Sequence, residues 1–189
     1  MKYVKMLGVL AIAAAAMMAF AGSASALLTE GPNDPVEAGD ILHAHSDNTI
    51  LTGGIEVSCE ESTVEGEFFG NGSTSGTITE LAFTDCGVDT VTVLNEGHGG
   101  TLSISSAGTV TSSGAEVTVQ VHRTVFGFPV TTHCEYVTNN TVIGSLTEGT
   151  EAILDVHGTI PKRTTDGACG TSTWEGTYQI TEPHTLTVH

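Results

Sequence analysis

The chain has 189 residues and carries 22 acidic against 5 basic side chains, a formal charge of −17 at pH 7. So large an excess of carboxylates repels phosphate backbones and anionic lipid, which argues against nucleic-acid binding or a membrane-surface role. The length suits one domain with a sizeable core.

The first stretch, MKYVKMLGVLAIAAAAMMAFAGSASA, has a basic start at Lys2 and Lys5, an apolar run from Leu7 to Phe20, and Ala24-Ser25-Ala26 at its end. This is the pattern of a secretory signal peptide cleaved after Ala26. Its apolar run falls short of the ~20 residues that a membrane span needs. No apolar tail closes the chain, so the expected mature protein, residues 27–189, is secreted without a membrane anchor. Only Arg123, Lys162 and Arg163 then face the 22 acids, and the formal charge becomes −19.

Next comes LLTEGPNDPVEAGD, rich in Gly and Pro, which reads as an extended N-terminal arm over residues 27–39. Its two leucines have no place in an alternating pattern, and such an arm could join copies by adding a strand to a neighbour's sheet edge. From residue 40 to 189 the chain reads as a single domain of short alternating runs. In IEVSCE, Ile55, Val57 and Cys59 share a face; in TLSIS, Leu102 and Ile104; in EVTVQVHRTV, Val117, Val119 and Val121; in TWEGTYQIT, Trp174, Tyr178 and Ile180. Turn signals separate them: Gly53-Gly54, Asn71-Gly72, Gly99-Gly100, Asn139-Asn140 and Asp166-Gly167. No window of the mature chain has helical periodicity. The fold expected is all-β, an antiparallel sandwich or jelly-roll-like barrel of about ten to twelve short strands.

The four cysteines, Cys59, Cys86, Cys134 and Cys169, all follow the leader, and an even number in an oxidising compartment reads as two disulfides. Of the three possible pairings, Cys59–Cys86 and Cys134–Cys169 close the smallest loops, each worth about 3.5–4 kcal/mol on a chain-entropy basis. A reactive Cys86 is disfavoured, because Asp85 and Asp89 beside it raise a thiol pKa. Cys86 falls out of phase with Leu81 and Phe83. Either its face also packs, or a bulge near Thr84 re-aims it.

Three groups of residues are candidates for binding. His43 and His45, two apart in ILHAHSD, project from one face of a strand, as a two-imidazole metal site requires, with Asp155 or His157 as a third ligand. If Glu61-Ser62 turned a hairpin, Glu56 would face Glu67 and Ser58 would face Glu65, with Glu60 nearby, and a bound calcium ion would relieve the carboxylate repulsion. The ordinary reading of both groups is a solvated polar face, so neither a metal nor a cofactor is expected. The third is TVFGFPV, where Phe126 and Phe128 form the one plausible apolar contact patch; such loops more often fold their rings onto their own core. Catalytic signatures are missing: GSTSG places Thr74 where a serine nucleophile would sit, and H-E-x-x-H does not occur.

The stretches AGSASA, AGDILHAHS, LAFTDCG, GTEAILDVHGTIP and WEGTYQITEPHTLTV together resemble uncharacterised secreted β-rich proteins of soil actinobacteria. The resemblance implies export and a disulfide-stapled β domain, and it carries no functional residue. The function expected is that of a non-enzymatic extracellular or cell-envelope structural or binding protein. The alternative is a small secreted hydrolase or cation-dependent carbohydrate-binding module.

Overall fold

The computed structural model describes residues 26–31, 33–163 and 167–189. Residues 1–25 of the expected leader and Asp166 of the last expected turn lie outside the described residues. The first eight strands are β1 (Leu28–Gly31), β2 (Asp34–Pro35), β3 (Ile41–Ser46), β4 (Thr49–Gly53), β5 (Val57–Cys59), β6 (Glu61–Phe68), β7 (Ser75–Thr84) and β8 (Thr90–Val93). A 3-10 turn at Asn95–Gly97 leads to β9 (Gly100–Ile104), β10 (Thr109–Ser113), β11 (Glu116–Val125) and β12 (Phe128–Val137). The last are β13 (Thr141–Thr147), β14 (Ile153–Ile160), β15 (Ser172–Glu182) and β16 (Thr187–Val188). The described residues are thus all-β, with more strands than the turn signals alone indicate.

Eight strands close into an antiparallel barrel, in the order β3, β6, β7, β9, β10, β13, β14, β15 and back to β3. The period-2 pattern decides which side faces in. Along β14, Leu154, Val156 and Ile160 are buried while Asp155, His157 and Thr159 are exposed; along β6, Ser62, Val64 and Phe68 are buried while Glu61, Glu65 and Glu67 are exposed. Gly144 and Gly158 let β13 and β14 close up on each other, since a Cβ on Gly144 would collide with the Asp155 carbonyl and one on Gly158 with the Ile143 backbone. The barrel is filled by side chains. Its voids are about 30 and 20 Å³, room for only a water or two at ~10–15 Å³ each.

Leu28, Val36, Leu186 and Val188 join the same apolar cluster. Leu28 and Val188 pair with each other in the small sheet of β16, β1 and β2, and Val36 and Leu186 adjoin its strands. This corrects the extended-arm expectation for residues 27–39. The segment docks because Leu28, with 0% of its surface exposed, finds its apolar partners at the other end of the chain. Paired on both sides, β1 offers no open edge to a neighbouring molecule.

A second core sits beside the barrel. The first half of β15 pairs with β4, which carries β5. The sheet of β12, β11 and β8 contributes Val119, Val121, Cys134 and Tyr136 to a cluster with Val57, Cys59, Ile160 and Cys169. Trp174 packs against both cores and meets Phe83 edge-on at 5.6 Å between ring centres. Each buried tyrosine hydroxyl has a partner: Tyr178 donates to Ser62 at 2.9 Å, and Ser172 donates to Tyr136 at 2.8 Å.

Both disulfides brace this second core. Cys59–Cys86 ties β5 to the loop after β7, and Cys134–Cys169 ties β12 to the segment between β14 and β15. Neither reading of the Cys86 face applies, because β7 ends at Thr84 and the chain turns at Asp85 (φ 52°), leaving Cys86 off the strand.

Candidate functional site

The strands β11 and β12 pair ten deep, from Glu116 opposite Val137 to Val125 opposite Phe128. Phe126 and Gly127 form the two-residue turn, and both have positive φ, 50° and 84°, as a turn matched to the strand twist requires. Asparagine, aspartate or glycine normally takes the first turn position, because a side chain with Cβ is penalised there. Here it is a phenylalanine.

The hairpin overruns the body. One of its faces carries Val117, Val119, Val121, Arg123 and Val125 on β11, opposite Tyr136, Cys134, Thr132, Val130 and Phe128 on β12. At the base, Val119, Val121, Cys134 and Tyr136 are buried in the second core. Beyond them every residue from His122 to Thr131 is exposed, and the apolar side chains do not stop: Val125 is 45% exposed, Phe126 97%, Phe128 72% and Val130 42%. The rings of Phe126 and Phe128 are therefore not folded back onto the protein's own core. An apolar stripe built like core continues into solvent.

A polar clamp holds the ribbon where it leaves the body. The Asp89 carboxylate accepts the His122 backbone N–H at 2.8 Å and Arg123 Nη1 at 3.1 Å. Arg123 Nη2 donates to the Glu56 carbonyl at 2.8 Å, and Nη1 also reaches the His122 carbonyl at 2.9 Å. The loop carrying Asp89 is pinned by Cys59–Cys86. Both free edges of the ribbon are blunted: Pro129 has no N–H to offer on β12, and Asp89 takes the outward N–H of His122 on β11. From Val117 to Cys134 there is no acidic residue, in a chain with 22 of them.

The metal candidates are not assembled. His43 and His45 do lie together on the outer face of β3, where His43 accepts or donates a hydrogen bond with Thr181 at 2.7 Å and sits 3.6 Å from Glu65. Asp155 and His157, 3.9 Å apart, are on β14, with β15 between them and β3. The expected opposition of Glu56 and Glu67 does not occur, because β5 pairs with β4 while β6 pairs with β3 and β7. Ser62 cannot serve as a turn residue there: it is buried and donates to the Ala82 carbonyl at 2.9 Å. Glu67 lies opposite Ile41, and Glu65 opposite Glu80 and His43. Among the described residues, no group of three or more His, Cys, Asp or Glu side chains is placed to hold a metal ion.

One open depression of about 560 Å³ is lined by Glu30, Asp40, Ile41, Glu182 and His184. Partial burial, with Asp40 and then Asp34 nearby, raises the Glu30 carboxyl above its ordinary range. It is the nearest thing to the acidic cleft of the alternative reading, yet it has no aromatic platform. Comparison with known proteins finds no matching family model, no matching curated protein and no matching solved structure.

Proposed function

We propose that this is an exported, non-enzymatic binding protein whose contact element is the tip of the β11–β12 hairpin. The carrying observation is Phe126, which is 97% exposed at a turn position whose backbone disfavours it. It costs solubility and local conformational energy and returns no burial, so folding does not explain it. The blunted edges direct contact to side chains rather than to strand addition. Two disulfides suit an oxidising exterior, and among the described residues no helix is long and apolar enough to span a bilayer. The barrel bears Glu61, Glu65, Glu67, Asp155 and Glu175 outward, the reverse of the apolar outer band of a membrane-spanning barrel.

The test is retention at the cell exterior. Phe126→Ser combined with Phe128→Ser should move the protein from the cell-associated fraction to the medium without changing its melting temperature. Unchanged partitioning of this double variant would remove the hairpin from the function.

A further inference from the structure

Resting on that reading, we infer that the hairpin tip is an interfacial anchor for a lipid bilayer, whose preferred surface is zwitterionic. The polarity of the ribbon changes along its axis more than across it. Val125, Phe128 and Val130 occupy one side of the tip, Pro129 with Thr124 the other, and Phe126 the turn. Thr124 stands level with Pro129, Arg123 with Val130 and His122 with Thr131, and His133 lies nearer the body. An occupant that covered a single face would leave Pro129 and the apex of the turn in water. An apolar slab with a polar boundary matches an apex of Val125, Phe126, Phe128 and Pro129 bordered by hydroxyl, imidazole and guanidinium groups.

The overall charge does not forbid this, because the ribbon is a spacer. From His122 to the turn at Phe126 it projects roughly 13 Å at ~3.3 Å per residue, more than the ~8 Å screening length of physiological salt. The body carboxylate that reaches the ribbon, Asp89, is paired with Arg123 at 3.1 Å, and no acidic residue lies between Val117 and Cys134. Anionic lipid at low salt remains repelled by an exported chain of formal charge −19. The free backbone groups of Thr124 and Thr131 limit insertion to the interface, since hydrocarbon offers them no partner.

A second copy of the chain is a poorer occupant. At ~200 Å² for an exposed phenylalanine and less for valine, the tip offers roughly 400–500 Å². A stable association buries about 800 Å² on each side, and two strongly anionic bodies would have to approach.

Co-sedimentation of the exported protein with phosphatidylcholine vesicles tests the inference. Phe126→Trp supplies a reporter, since Trp174 is the chain's one tryptophan and is packed between the two cores. The expected result is a blue shift of the Phe126→Trp emission and co-sedimentation with phosphatidylcholine. Binding to vesicles of equal parts phosphatidylcholine and phosphatidylglycerol should be weaker at low salt and recover as salt rises. Phe126→Ser with Phe128→Ser should lower the partition coefficient by about 100-fold or more, from ~10-fold or more for each lost ring. Val142→Ser, at a 56% exposed site on β13, should change nothing. Absence of both shift and sedimentation overturns the inference, and so does equal weakening by Val142→Ser. If vesicles fail while the double variant still abolishes retention on cells, the bilayer is wrong and the binding reading stands, with an apolar pocket on a protein as the occupant.

Discussion

The lower and upper halves of the β11–β12 hairpin have the same chemistry on the same face and opposite surroundings. Val119, Val121, Cys134 and Tyr136 are shut inside a disulfide-braced core, whereas Val125, Phe128 and Val130 stand in water four to six residues beyond Val121 and Cys134. In the lower half, burial accounts for the apolar residues. In the upper half nothing among the described residues covers them, and the clamp of Asp89 holds the ribbon at His122 and Arg123. Alternating sequence pattern therefore marks a face that is to be covered. It does not say by what.

The widest contrast comes from truncating one residue in each half. Tyr136→Ala should cost about 3–5 kcal/mol by leaving a cavity and an unpartnered Ser172 hydroxyl, while Phe128→Ala should stay within ~0.5 kcal/mol. Urea denaturation of the two variants measures both, and equal losses would mean that the upper half is also core. Replacing Cys59 and Cys86 together by serine should cost about 2–5 kcal/mol. It should also speed amide exchange at His122 and Arg123 more than in β14, because the loop that carries Asp89 loses its tether. Exchange unchanged at His122 would show that the clamp does not depend on the disulfide.

The smallest effect belongs to Glu30. Burial and the nearby Asp40 and Asp34 raise its carboxyl above the ordinary glutamate range, so the folded state holds its proton more tightly than the unfolded chain does. That contribution is fully present below the unfolded pKa and is lost as pH rises through the raised folded value. Glu30→Gln should consequently raise the melting temperature slightly at neutral pH and leave it unchanged in acid below the ordinary glutamate range. It should not alter retention by cells. Loss of an activity or of retention with this variant would move the site from the hairpin to the acidic depression.

Much of the architecture was legible from residue types. Alternation in EVTVQVHRTV and TWEGTYQIT identifies the buried faces of β11 and β15, and nearest-neighbour pairing of cysteines matches both disulfides. The docked segment at residues 27–39 was not legible, because Leu28 owes its burial to Val188, far along the chain, and no local pattern records such a partner. The failed hairpin at Glu61-Ser62 has the same origin: Ser62 looks like a turn residue but satisfies its hydroxyl inside the barrel. Phe126 and Phe128 stood out as a pair. Their exposure depends on how far ten strand pairs outrun a core whose depth is set by tertiary packing. One local sign was present, a phenylalanine where the two-residue turn before Phe128 calls for asparagine or glycine.

That sign supplies the most direct test of the claim that the hairpin tip exists for contact rather than for folding. Phe126→Asn places a residue suited to the left-handed turn at φ 50° and removes an exposed ring. The melting temperature and the cell-associated fraction of this one variant should move in opposite senses. The account predicts a gain of about 1 kcal/mol in stability together with loss of retention. A variant that is less stable, or that is retained as well as the parent protein, would contradict it.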